Sequence, residues 1–232
     1  MPANSWMALF GYLILKSSLM EYNDMKTKFS LFRRCGQFML GIALLVSLSA
    51  GISACARNGI ETYADRKPQL DLPTFFAGQS VAFGIFEDRF GNMRRQFRVV
   101  LEGTIDGDVL TLDETFLYDD GEQDFRKWII RRMGKDSDSE VLYEGSAEDI
   151  TAVATGVVSG NALNWQYDVV LSMGGRDVEV HFDDWIYRQH EDVAINRAFV
   201  SKYGIEIGSV TIVVLRGNAS AALSPLDLKR WS

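Results

Sequence analysis

Phe97, Val99, Leu101, Gly103 and Ile105 alternate with Arg98, Val100, Glu102 and Thr104, so an extended chain here carries one apolar face and one mostly polar face. Leu163, Trp165, Tyr167, Val169 and Leu171 alternate still more cleanly against Asn164, Gln166, Asp168, Val170 and Ser172. A period of two is the signature of half-buried strands, and it dominates from Pro73 to Leu215. Helical periodicity is poor. Only Asp192 to Tyr203 could pass for a helix, and its β-branched residues and the following Gly204 leave that open.

Turn-forming residues separate the alternating runs at Gly91-Asn92, Asp106-Gly107, Asp120-Gly121, Ser159-Gly160-Asn161 and Gly174-Gly175. Such residues accept the positive φ of hairpin turns, which makes neighbouring strands antiparallel. The spacing predicts strands of about ten residues, longer than the usual 5 to 6. Long strands in sequential hairpins fit an all-β, antiparallel up-and-down barrel of roughly eight to ten strands over residues 73–216, with residues 217–232 as a flexible tail. Barrels of outer membranes share this alternation but need a lipid-facing apolar band. Here Arg94, Arg98 and Glu102 recur opposite the apolar stripes, which favours a barrel in water.

The part before the barrel has a different pattern. Lys26, Lys28, Arg33 and Arg34 precede an apolar run from Phe38 to Ala54, the charged-then-apolar order of a secretory signal. An uncleaved anchor would need roughly 20 apolar residues, slightly more than this run supplies. The run ends at Ile52-Ser53-Ala54-Cys55, which resembles the lipobox of bacterial lipoproteins. That resemblance implies cleavage before Cys55 and lipid on its thiol, with residues 1–54 as the leader. A weaker apolar patch, Trp6 to Leu15, lies ahead of the basic segment, so Met25 is the expected start, with 25–54 as the signal peptide and 1–24 as an over-extended beginning. Ala56 resembles the residue that follows the cysteine in outer-membrane lipoproteins, so the expected location is the outer membrane facing the periplasm. Residues 55–72 are polar, include Asp65-Arg66-Lys67-Pro68, and are predicted to be a tether.

Charge narrows the partners. The whole chain has 24 Lys and Arg against 31 Asp and Glu; five of the bases and two of the acids precede Cys55, which leaves minus 10 from Cys55 onward. Such a surface repels phosphate backbones and argues against nucleic acid. The chain has two cysteines, Cys35 and Cys55; once Cys55 is acylated no disulfide is possible, and stability has to come from burial.

Several motifs occur in a fixed order: Phe75-Phe76-Ala77-Gly78, Glu114-x-Phe116-x-Tyr118-x-Asp120-Gly121, Gly160-Asn161-Ala162-Leu163-x-Trp165-x-Tyr167, Asp183-Asp184-Trp185 and Asn196-Arg197-Ala198. Together they resemble a bacterial lipoprotein family known only as a domain of unknown function. The resemblance implies no activity, cofactor or catalytic residue to carry over. Phe76-x-Gly78 entering the first strand is similar to lipocalin-like barrels, although Ser80 stands where they carry Trp.

Asp184 is the most conspicuous polar residue, because alternation sets it on the apolar stripe of Val178, Val180, Phe182 and Ile186. A buried carboxylate must be paired or neutralised, and Arg197 is the candidate partner, either as a structural ion pair or as a pair that orients a ligand. Glu114 likewise interrupts Leu112, Phe116 and Tyr118, and a two-residue turn at Asp120-Gly121 would set it opposite Lys127. His181 and Asp183 share a strand face, too few donors for a metal site. A nucleophile elbow and a phosphate loop are both missing from the sequence, so catalysis, cofactor and metal are not expected. Trp128, Trp165, Tyr167 and Trp185 are candidates to line a cavity or to fill the barrel.

Three functions follow from this reading. The barrel holds an apolar small molecule or lipid; or it is solid and meets an envelope protein through an exposed apolar patch; or it is an enzyme whose polar groups converge in one cleft.

Overall fold

The computed structural model describes residues 58–137, 139–173 and 176–231. The leader, the lipobox and Cys55 lie outside the described residues.

Ten strands follow one another: β1 (Gly78–Asp88), β2 (Met93–Asp106), β3 (Val109–Tyr118), β4 (Gln123–Ser137), β5 (Glu140–Ser146), β6 (Ala154–Ser159), β7 (Ala162–Met173), β8 (Arg176–His190), β9 (Val193–Lys202) and β10 (Ile205–Arg216). Each pairs antiparallel with its neighbour in sequence, and β10 closes on β1 from Ser80↔Arg216 to Asp88↔Gly208. The result is an all-β, closed up-and-down barrel. Closure removes every sheet edge, and an even strand number lets first and last meet antiparallel. The segment that left helix open, Asp192 to Tyr203, is β9, with Ala194, Ala198 and Val200 buried on its inner face.

The two ends differ. At the floor, where β2 turns into β3, β6 into β7 and β8 into β9, the chain ahead of β1 folds across the opening. A five-residue helix α1 (Leu72–Phe76) follows Asp71, whose carboxylate caps it by accepting from Thr74 N at 3.1 Å. Leu70, Leu72, Phe75 and Phe76 are buried in the core, and full burial of Phe75 alone stabilises the barrel by about 2 kcal/mol. Arg132 pairs with Asp71, Arg188 Nη1 donates to the Gln69 carbonyl at 2.7 Å, and Leu70 N donates to the Gly160 carbonyl at 2.7 Å. Gly103 makes this closure possible, since a Cβ there would stand 1.8 Å from the Phe76 carbonyl oxygen.

Two boundaries therefore shift. The stretch expected to be a tether is docked from at least the 3₁₀ turn Ile60–Tyr63 onward, where Tyr63 lies 5.9 Å from the Trp185 ring and 5.5 Å from Tyr187. Its apolar residues Leu70 and Leu72 and its aromatic Tyr63 have surface to bury, which a polar average over the segment conceals. The tail expected to be free begins with α2 (Gly217–Ala221) and then runs along the outer wall. There the Asp227 carbonyl accepts from Arg98 at 3.3 Å, and the Trp231 ring sits 4.4 Å from the Arg98 guanidinium.

β5 and β6 are short, so they leave the wall open on the mouth side between β4 and β7. The connection 147–153 fills it: Ile150 bridges to Val169, and Val170 N donates to the Asp149 carbonyl at 3.1 Å. Among the described residues no helix is long and apolar enough to cross a membrane.

Candidate functional site

The inside of the barrel is solid toward the floor. Trp165 fills its centre against Gly145 and Gly156; a Cβ on Gly156 would lie 2.0 Å from the indole, so this large side chain fits only because its neighbour has none. Leu110, Leu112, Trp128, Ile130 and Leu163 complete a buried layer.

Toward the mouth the interior changes. Glu114, Phe116 and Tyr118 of β3, Arg126 of β4, Phe182 of β8 and Val210 of β10 face inward by register, yet all retain accessible surface. Unlike the buried layer below, these inward side chains are only partly covered, so solvent reaches into the mouth half as a hollow. Aromatic faces form much of its lining: Phe116 stacks on Tyr118 at 6.0 Å, Tyr167 stacks on Phe182 at 5.3 Å, and Trp128 meets Tyr167 edge-on at 5.2 Å. At the rim Arg95 lies 3.5 Å from the Tyr118 ring centre and is held by Asp120 and Glu122.

A polar cluster forms the bottom of the hollow. Tyr167 Oη donates to Asp184 Oδ2 at 2.9 Å, while Asp184 Oδ1 is enclosed with no hydrogen-bond partner. Glu114 sits directly across the β3–β4 ladder from Arg126, and Arg126 is bound to Asp149 of the 147–153 connection. Burial pushes Glu114 from an ordinary 4.5 up to about 7; Arg126 opposes the rise, and the nearby carboxylates Asp184 and Asp149 add to it. Burial also lifts Asp184 from 3.8 to about 7, against the hydrogen bond from Tyr167 and the charge of Arg126. The Tyr167 hydroxyl is raised well above its ordinary value by burial and by the Asp184 carboxylate, so it remains a donor. Asn196 of β9 also faces inward, is 8% exposed and leaves its Oδ1 without a partner.

The structure brings Asp184, Tyr167, Glu114, Trp128 and Trp165 together, the last two as the packed layer beneath the hollow. It does not bring Arg197 to Asp184. Asp184 stands opposite Ala198, whereas Arg197 is opposite Trp185, points outward and lies over the Phe199 ring. Trp185 is likewise outside, stacked on Tyr187 and covered by Tyr63, and lines no cavity. His181 is on the outer wall with Nδ1 2.8 Å from Asp168 Oδ1. Asp183, also outside, accepts from Asn164 at 2.6 Å.

Glu114 faces Arg126, one residue away from the expected Lys127, because the β3–β4 turn has three residues. Tyr118 N donates to the Glu122 carbonyl across Asp119, Asp120 and Gly121, with Gly121 at φ 87°, and Lys127 pairs with Asp113 at 2.9 Å. Arg126 and Asp149 were missed. Arg126 had a signal, its position two residues before Trp128 on the same strand face; Asp149, on an irregular connection, had none. Among the described residues no three His, Cys, Asp or Glu side chains are placed to hold a metal.

A family model described as a protein of unknown function (DUF3833) matches residues 49–216. No curated protein matches the sequence. Among solved structures, the S-type phycobiliprotein lyase CPES from Guillardia theta is similar, with 8% identity and a TM-score of 0.48 over 70% of this chain and 99% of that one.

Proposed function

This chain belongs to the DUF3833 family, and on that premise we propose that it is a lipid-anchored protein of the bacterial envelope whose barrel binds an apolar small molecule or lipid without transforming it. The observation that carries this reading is the mouth half, where inward-facing Phe116, Tyr118, Phe182 and Val210 keep accessible surface. Apolar walls of this kind gain by excluding water and filling the space with a ligand, at about 25 cal/mol per Å² removed from water. Strands set the walls, so little order has to be imposed on binding. A lipid on Cys55 would hold the carrier at the membrane, and the proposed location is the outer membrane facing the periplasm.

Native mass spectrometry of the protein purified from its own host tests this. A reproducible adduct, lost on denaturation, is expected. Ala198 is buried, faces inward and sits opposite Asp184, so Ala198→Trp should abolish the adduct while far-ultraviolet circular dichroism stays unchanged.

A second reading rests on the outer face of β4, where Phe125, Ile129 and Met133 are 58%, 47% and 50% exposed at every fourth position, with the exposed Lys127 and Arg131 between them. These exposed apolar side chains offer a surface to an envelope protein. A clean apo mass, with no uptake of lipid extracts, would abandon the first reading for this one.

A further inference from the structure

The polar cluster beneath the hollow says what the ligand carries, provided the barrel binds a small molecule as proposed above. The charged and titratable groups around it come from five elements: Glu114 from β3, Arg126 from β4, Asp149 from the 147–153 connection, Tyr167 from β7 and Asp184 from β8. β9 adds the neutral Asn196. At the rim stand Asp124, exposed on β4, and Arg95, already held by Asp120 and Glu122. Three carboxyl groups thus share one guanidinium, and that guanidinium is bound to Asp149.

The unpartnered polar atoms beside the cluster agree with this count. Asp184 Oδ1, Asn196 Oδ1 and Asp149 Oδ1 are all oxygens, whereas the unpartnered Arg95 Nε stands at the rim and Ser80 Oγ and Arg216 Nε at the floor; Asp184 and Asn196 are each 8% exposed. Both stand on the inner face, with Asp184 opposite Ala198 and Asn196 opposite Ile186 on the same pair of strands. A ligand that completes the cluster therefore donates hydrogen bonds. One bearing a positive charge also balances the surplus of carboxyls, and it is favoured by the ring faces of the Phe116–Tyr118 and Tyr167–Phe182 stacks. An anionic head would meet the surplus carboxyls instead.

We propose that the ligand is a cationic amphiphile, an apolar body ending in a protonated amine, with the ammonium group among Asp184, Glu114 and Asn196 and the apolar part toward the mouth. The bound cation keeps its proton, and the carboxyls that turn towards it give theirs to solvent. Binding therefore releases protons and weakens as the medium becomes acidic.

Three probes with the same chain test the charge: octylammonium, octanol and octanoate, added to the full-length protein in nanodiscs, with tryptophan fluorescence as the signal and empty nanodiscs as the blank. At pH 7.5 octylammonium is expected to bind about tenfold tighter than octanol, and octanoate more weakly than either. Asp184→Asn keeps the shape and removes the charge; it should bring octylammonium to within about threefold of octanol while leaving octanol unchanged. Glu114→Gln serves the same purpose if the first variant does not fold, and the ranking on the unmodified protein decides alone if neither does. Equal affinity for octylammonium and octanol, or tightest binding of octanoate, would overturn the cationic ligand and leave the apolar hollow standing. Failure of all three probes to bind would overturn both.

Discussion

Removing both inner carboxyls, with Glu114→Gln and Asp184→Asn in one protein, should flatten the dependence of stability on pH. In the folded barrel each group loses its proton at about 7, against ordinary values of 4.5 for Glu114 and 3.8 for Asp184. Between those limits the folded state holds protons that the unfolded chain has released, so stability falls as pH rises. The contribution is fully present below the ordinary values and is gone once pH has passed 7. From pH 5 to pH 8 each group acting alone erodes stability by about 2 to 3 kcal/mol, at ~1.4 kcal/mol per pH unit inside the window. The pair together reaches about 3 to 5 kcal/mol, because protonating one relieves the other and water in the hollow solvates Glu114. That is a large share of the 5 to 15 kcal/mol typical of a domain. The assay is urea unfolding followed by tryptophan fluorescence at pH 5, 6, 7 and 8 for both proteins. The unmodified protein should lose several kcal/mol more than the double variant across this range. Parallel pH profiles would refute the burial of these two carboxyls.

Three further outcomes are expected. Gly156→Ala drives a methyl group into the Trp165 ring and should lower the urea midpoint by the equivalent of about 1 to 3 kcal/mol, with the slope unchanged. Asp71→Ala removes both the cap of α1 and the partner of Arg132, costing about 1 to 2 kcal/mol and speeding limited proteolysis ahead of β1. Tyr167→Phe leaves Asp184 without its hydrogen bond and should cost about 1 to 3 kcal/mol at pH 8, less at pH 5, read by the same unfolding assay.

The barrel was legible because its two faces differ where they meet water on one side only. Phe97, Val99 and Leu101 are buried on the inner face while Arg98 and Glu102 point outward, so period two gave both the strand and its orientation. On β9 alternation points the wrong way, because the outer residues Ile195 and Phe199 are larger and more apolar than the inner Ala194 and Ala198, so Arg197 between them reads as an inward partner for Asp184. Trp185 misled for a related reason. Its outer face is covered by Tyr63 from a segment more than a hundred residues away, and a covered outer wall has the same composition as an inner one. Asp184 and Glu114 could be found as charges breaking an apolar stripe. Their true neighbours depend on a one-residue difference in turn length and on an irregular connection, and neither leaves a periodic trace.

The docking of residues 60–76 at the floor also sets a direction. Tyr63 lies against the β6–β7 turn at Gly160, so the segment ahead of β1 covers the closed end of the barrel. With α1 and its flanking residues packed into the floor, a ligand held in the barrel would enter and leave through the mouth, at the end away from the docked segment.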